Sequence, residues 1–537
     1  MLTKWIKSKL LYTILLLIVS ASASILTVID ALYFKFLKER ISYDFFGQLN
    51  PDNNISLWTY ISDYWPMAVF IIVLISGFTL WVRMDYSTPT KPHWISLIAI
   101  IVCLVIVARG GFRLKPIRTA DTGQHLKEDS HVVAFNTVLY LIETWQNPIS
   151  APSFIETTLP TIQHTQFSND SIQTPNFVII ILEGFGKEYT GLNRGMTHTY
   201  TPFLNSLIPQ SVCCHNAYAN GLKSVDAVPA IFSSIPKLTN TAFIHSPHSS
   251  AAQASVFNLL ATLGYSSSFF HGADNQSMGF KSYLKTNGLQ QYFGVDEYPH
   301  TDKDHDGHWG IYDLPYLQYV SRELSDQKQP FVSSVFTLSS HHPYSIPVDL
   351  KDSFTEGDIP IHKSIQYSDY ALQQFFETSK NEAWFDNTIF IITADHSAEN
   401  LLHAYRTPSG KYEIPLLIFG PGTLQPSSIR KTVAQIDILP TILDLVNYPD
   451  SVLVLGESIF TENHNRTVCH YDNNVYHVTQ NHWSYGITQN QATFLYNKKQ
   501  DINCLSNELK NQSDKAQILD TELKALVRNY FYVIKQD

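Results

Sequence analysis

Two apolar runs in this sequence each lead to side chains that can bind a cation. The run at 177–182, in NFVIIILEGFGKE, is closed by Glu183, and the run at 388–393, in TIFIITADHSAEN, leads through Ala394 to Asp395 and His396. Short runs rich in Ile and Phe predict buried parallel strands. Open α/β sheets hold ligands at the carboxyl ends of such strands. A charged residue closing one buried strand is common and says little. Two such ends side by side would gather two carboxylates and an imidazole, a mixed oxygen and nitrogen set suited to Mn2+, Mg2+ or Zn2+. That set needs a further ligand, which a nucleophile would supply. The candidate is Ser224 in YANGLKSVDAVPAIFSSIP. Gly221 permits a tight turn, and Pro229, tolerated only near a helix start, predicts a helix beginning within a few residues after Ser224. A hydroxyl there faces backbone N–H groups and the positive end of the helix, a seat for phosphate, and a metal would lower its pKa. The alternative is that Ser224 only caps the helix.

Placing these residues together requires a sheet. Further strand-like runs fall at 266–270, 331–338 and 414–419, with helix-like segments at 252–263, 314–324, 364–379 and 436–446. Strands alternating with helices predict an α/β domain with a largely parallel central sheet flanked by helices, which we assign to residues 173–462. Residues 463–537 read as a smaller C-terminal part. Tyr, Asn and His are frequent over 469–505, which suggests a β-rich subdomain, and 519–534 reads as an amphipathic terminal helix. Residues 113–172, with frequent Gln, Ser, Thr and Pro, read as a linker with one apolar helical patch at 132–145.

The first 112 residues read as a transmembrane region of about three helices. Residues 10–29 carry no charge, and neither do 65–82 and 94–108; the first is long enough to span a bilayer core. Positive charges flank these runs on both sides, so their distribution does not set the orientation. A cleavable signal peptide ending near Ala21-Ser22-Ala23 is the alternative for the first run. With the N-terminus inside, either arrangement puts the large domain outside the cytoplasm. Net charge is −10, which offers no basic footprint for nucleic acid. The 13% aromatic and 16% charged content excludes a disordered chain. Of the five cysteines, Cys213 and Cys214 are neighbours, whereas Cys469 and Cys504 could pair if oxidised.

A wider set of stretches carries a family resemblance: ILEGFGKEYTG, YTPFLNSL, NAYANGLKSVDAVPAIFSSIP, FFHGADNQSMGF, DHDGHWGIYD, FTLSSHHPY, IQYSDYALQQFF, WFDNTIFIITADHS and AQIDILPTILDL. In this order they resemble the lipoteichoic-acid-synthase-like proteins, membrane-anchored phosphoglycerol transferases of the alkaline phosphatase and sulfatase superfamily. The resemblance runs from about residue 29 to the C-terminus and is strongest to the branch found in bacteria with an outer membrane. It implies that Glu183, Asp395 and His396 ligate one divalent metal, Mn2+ ahead of Mg2+ or Zn2+, and that Ser224 is both nucleophile and ligand. The teichoic acid enzymes use Thr at that position, so the hydroxyl is kept. His341, ahead of His342, matches the family's substrate-contacting His.

The implied reaction moves a phosphoglycerol group from a phosphatidylglycerol-like phospholipid to a glycan or glycolipid acceptor. The catalytic domain would face outward from the bacterial cytoplasmic membrane. Two departures bear on this. The Trp and Arg that help hold the head group in the teichoic acid enzymes are replaced by Met278 and Phe280, and three apolar spans stand in place of five. Phosphoethanolamine transfer and phosphodiester hydrolysis are served by the same chemistry. Sulfate ester hydrolysis is disfavoured, because Ser224 is followed by Val225, Asp226, Ala227 and Val228 rather than the Pro and Arg of the sulfatases' C/S-x-P-x-R motif.

Overall fold

Seven consecutive buried residues, Asn176–Leu182, form strand β1 of the main sheet. Burial on both faces is what a central parallel strand requires, and each fully buried Ile here contributes roughly 1.5–3 kcal/mol. The computed structural model describes residues 171–534 apart from 194, 196–197, 251–252 and 489–490, together with positions 26, 30, 152 and 165–167. Apart from position 26, the three apolar N-terminal stretches lie outside the described residues, as does nearly all of the 113–172 segment. Among the described residues no helix is long and apolar enough to cross a membrane.

The other strands of this sheet are β2 (Val212–Tyr218), β3 (Ser266–His271), β4 (Gln291–Phe293), β5 (Phe331–Phe336), β6 (Thr388–Ala394), β7 (Leu416–Phe419) and β8 (Ser427–Ala434). Their order is β4-β3-β5-β1-β6-β7-β2-β8. All neighbours are parallel except β7, which runs against both β6 and β2. The expected α/β domain with a largely parallel sheet is therefore what forms. β2, β4 and β8 lie outside the strand-like runs expected from the sequence. β2 reads Val-Cys-Cys-His-Asn-Ala-Tyr because its half-buried polar residues bond across to the edge strand: His215 Nε2 meets Ser428 Oγ at 2.7 Å, and Asn216 Nδ2 donates to Arg430 O at 2.6 Å.

The helices of eight residues or more among the described residues are α1 (Ser224–Ser233), α2 (Asp313–Ser325), α3 (Ile361–Ser379), α4 (Ile438–Leu445) and α5 (Ser513–Val533). The helix expected over 252–263 shrinks to Val256–Ala261, where Ser255 accepts from Asn258 N–H in a capping box. A second sheet, antiparallel and ordered β12-β11-β10-β9, is built from β9 (Thr467–Asp472), β10 (Val475–Gln480), β11 (Trp483–Thr488) and β12 (Gln491–Asn497). Asn473 and Asn474, both at positive φ, make the two-residue turn between β9 and β10, as a primed hairpin turn requires. Helix α5 covers this sheet with Leu519, Leu523, Val527, Tyr530 and Phe531. Cys469 and Cys504 are both buried thiols, and the disulfide considered for them does not form.

A buried charge cluster ties the loop after β12 to the loop after β1. Glu413, 1% exposed, meets Lys187 Nζ at 3.1 Å and Lys498 Nζ at 2.8 Å. Lys187 Nζ also donates to His215 O at 2.6 Å, and Lys498 Nζ to Tyr218 OH at 3.3 Å. Charges taken out of water are tolerated only when matched in this way. Glu413→Gln, which strands two buried ammonium groups, is expected to lower the unfolding free energy by about 3–5 kcal/mol in urea titrations. Lys498→Met leaves the Lys187–Glu413 pair in place and should cost less; equal losses would show that the remaining pair contributes nothing on its own.

Candidate functional site

The register of β1 against β6 decides where the carboxylates go. Leu182 lies beside Ala394 in the parallel ladder, so the next residue of each strand, Glu183 and Asp395, emerges side by side at about the 4.8 Å strand spacing. Backbone bonds lock this end of the sheet. Asp395 N–H donates to Leu182 O at 3.2 Å, while Gly184 N–H and His396 N–H both donate to Asp395 Oδ1 at 2.7 Å. Gly184 holds φ +65°, and a Cβ there would come within 3.1 Å of Ala398 Cβ. From the β5 side, Thr337 Oγ1 accepts from Glu183 N–H at 2.9 Å, and the Ser340 hydroxyl donates to Glu183 O at 2.5 Å.

Ser224 arrives from the other side as the first residue of α1. The helix begins at Ser224 itself rather than after it, with Pro229 inside it; Lys223 is the N-cap. The hydroxyl of Ser224 is not spent on closing the helix end. It donates to Glu183 Oε2 at 3.2 Å and lies 3.4 Å from His396 Nε2. Gly221 is required by close approach, since a Cβ there would sit 2.2 Å from Asp226 Cβ.

These groups can hold a cation, and their chemistry favours one. One ligand atom from each of Glu183, Asp395 and His396 lies within 4.8 Å of the others, and all three residues are buried. His396 Nδ1 pairs with Ser397 O at 3.1 Å. With Nδ1–H donating there, Nε2 is left as a lone pair, 3.2 Å from Asp395 Oδ2 and 3.7 Å from Glu183 Oε1. Asp395 Oδ2 is buried without a hydrogen-bond donor, because His396 Nε2 does not meet it in hydrogen-bond geometry. Among the described residues neither carboxylate is paired with Lys or Arg. Burial first, and then the neighbouring Asp395 carboxylate, push the Glu183 carboxyl well above its ordinary range. Three acceptors converging without a positive charge are what a cation would relieve.

His341 follows β5, with its N–H on Leu338 O at 3.0 Å. Its Nδ1 pairs with His342 O at 2.8 Å. Burial lowers its pKa to about 4 against the opposing pull of that bond; His396 and Asp395 are among the charges it feels. At neutral pH the ring is therefore neutral. Two residues missed by sequence reasoning hold this loop. The Trp309 ring lies 4.2 Å from that of His341, and its Nε1–H donates to His342 O at 2.7 Å. Asp313, at the start of α2, accepts from Leu338 N–H and Ser339 N–H through Oδ1 and from the Ser368 hydroxyl through Oδ2, at 2.6–3.1 Å. Both stand in DHDGHWGIYD, so the motif marked them, but nothing local indicated their partners. Of the two residues that stand in place of the family's Trp and Arg, Phe280 is fully buried against His271 and Phe336, which leaves half-buried Met278 in the loop.

The profile of the Sulfatase family matches residues 175–448, just over half of the chain. The lipoteichoic acid synthase-like protein YvgJ of Bacillus subtilis is 27% identical over 273 residues, covering 46% of this chain and 43% of that protein. The lipoteichoic acid synthase of Staphylococcus saprophyticus is 27% identical over 229 residues, 38% of this chain and 34% of its own. The chain thus spans less than half the length of these curated relatives. Among solved structures, a protein of the alkaline phosphatase superfamily from Vibrio parahaemolyticus superposes with TM-score 0.62 at 23% identity, covering 71% of this chain and 93% of its own. The lipoteichoic acid synthase LtaP from Listeria monocytogenes does so with TM-score 0.57 at 20% identity, covering 70% and 96%. These structural likenesses establish the fold. The family match places the chain in the Sulfatase family, and in sequence it is similar to proteins named lipoteichoic acid synthase or lipoteichoic acid synthase-like.

Proposed function

We propose that this chain is a metal-dependent phosphotransferase that moves a phosphoglycerol group from a phosphatidylglycerol-like phospholipid to an acceptor hydroxyl on a glycan or glycolipid. The reading rests above all on the meeting of the Ser224 hydroxyl with Glu183 Oε2 and His396 Nε2, at 3.2 and 3.4 Å. Glu183, Asp395, His396 and Ser224 would hold one divalent ion, Mn2+ first and Mg2+ or Zn2+ as alternatives. When bound, that ion supplies Lewis acidity and positive charge, which lower the hydroxyl's pKa and offset the charge of the phosphate.

The chain's own residues carry the two transfers. Ser224 Oγ attacks phosphorus, and the Oγ–P bond forms as the P–O bond to diacylglycerol breaks. The proton given up by Ser224 ends on the diacylglycerol oxygen. The acceptor hydroxyl then displaces Ser224, which regains a proton. His341 suits this second step. With Nδ1–H held by His342 O, Nε2 is turned into an acceptor that would orient the head group or relay a proton. Sulfate ester hydrolysis gains no support from the family's name, because neither Pro nor Arg follows Ser224 at the required spacing. The apolar stretches before residue 112 would anchor the chain in the cytoplasmic membrane, with the catalytic part outside and facing the lipid head groups.

Ser224→Ala is expected to lower turnover of a fluorescent phosphatidylglycerol by at least about 1000-fold, since a two-step transfer loses its first step. Ser224→Thr should retain part of the activity. Parent-like turnover in the Ala variant would point instead to a hydrolase that directs water. Trp309→Phe keeps an aromatic ring beside His341 but loses the bond to His342 O, and kcat should fall roughly 2- to 10-fold. His341→Ala should fall about 100-fold or more. If Trp309→Phe lowers kcat by the same factor in the His341→Ala background as in the parent, Trp309 does not act through the orientation of His341.

A further inference from the structure

The catalytic loop and the ligand strand come from distant parts of the chain, and one side chain joins them. Gln435 Nε2 donates to Ala394 O at 2.8 Å and to Asp395 O at 2.7 Å, so both of its hydrogens are used at the end of β6. Gln435 Oε1 accepts from Asn220 N–H at 2.8 Å. Asn220 answers through Oδ1, which accepts from Ile436 N–H at 3.0 Å. Gln435 and Asn220 are each 1% exposed. Asn220 opens the turn that runs through Gly221 to Ser224, and Asp395 is a member of the cation-binding cluster. The turn carrying Gln435 is itself fixed. Asp437 accepts from Ala434 N–H at 2.8 Å through Oδ2 and from Arg466 Nη2 at 2.6 Å through Oδ1.

We propose that Gln435 is a positioning residue that sets the distance between the Ser224 loop and the Asp395 ligand, and so tunes cation affinity and the first transfer step. The inference rests on the metal-dependent reading of the site above. Only a primary amide fits the position. Two carbonyl oxygens need two N–H donors and one N–H needs an acceptor, all from a single planar group. Glu would set an oxygen against the carbonyls, and Met would leave three buried backbone groups short of a partner. Gln435 does not touch the substrate; it acts through the backbone of two other segments.

The test is titration of the full-length protein with Mn2+ alone, alongside donor kinetics. Gln435→Met should weaken Mn2+ affinity about 10- to 100-fold, the usual cost of removing a group that orients a ligand. It should lower kcat by a similar factor with little change in KM for the donor. Leu519→Ala, a core truncation in α5, controls for loss of stability and should keep the parent's Mn2+ affinity. If Gln435→Met does not accumulate as folded protein, Asn220→Ala breaks the Ile436 half of the clamp and is read by the same titration. Mn2+ affinity in the clamp variant indistinguishable from the parent's overturns the proposal, as does an equal loss in Leu519→Ala. A parent protein that binds no Mn2+ overturns the reading of the site, and the clamp with it.

Discussion

Two carboxylates end neighbouring parallel strands in register, and no lysine or arginine among the described residues meets either of them. That arrangement is electrostatically costly. Burial and mutual repulsion raise the Glu183 carboxyl well above its ordinary range, and Asp395 Oδ2 is buried with no donor. Much of the surrounding structure holds this unfavourable pair in place. Gly184 N–H and His396 N–H saturate Asp395 Oδ1, Thr337 and Ser340 bind the Glu183 backbone, and Gln435 bonds the Asp395 carbonyl. A fold that spends this many buried bonds on keeping like charges together is prepared to receive a cation.

The contrast with Glu413 is instructive. That carboxylate is as deeply buried as Glu183, yet it lies between two lysines. Its charge is matched inside the protein, where it joins the loops after β1 and β12. Burial is therefore not what distinguishes the candidate site; the missing counter-charge is. His341 follows a related logic. Burial keeps its ring neutral, and the bond from Nδ1 to His342 O leaves Nε2 as an acceptor, with Trp309 fixing the loop from the side.

What the sequence disclosed follows from how local each signal is. Glu183 and Asp395 were visible because apolar runs announce buried parallel strands, and the residue after such a strand must lie at the sheet's rim. Ser224 was visible as a hydroxyl near a helix start, although Pro229 misplaced that start: a proline inside the helix was tolerated where one near its beginning was expected. β2 was hidden because His215 and Asn216 bond sideways to an edge strand, which breaks both the apolar run and the alternation. Trp309, Asp313 and Gln435 stood in recognisable motifs, but their partners lie 25 to 215 residues away, and only the folded chain brings them together. The disulfide considered for Cys469 and Cys504 was suggested by compartment and count, neither of which fixes geometry.

If Ser224 is the nucleophile, it becomes covalently loaded from a phospholipid during turnover. This is tested most directly by acid-quenching the full-length protein during turnover of phosphatidylglycerol with Mn2+, then reading the mass of the Ser224 peptide. The expected result is a gain equal to one phosphoglycerol group, carried on Ser224 and discharged when an acceptor is added. Consumption of phospholipid with Ser224 unmodified, or with the adduct on another residue, would contradict it.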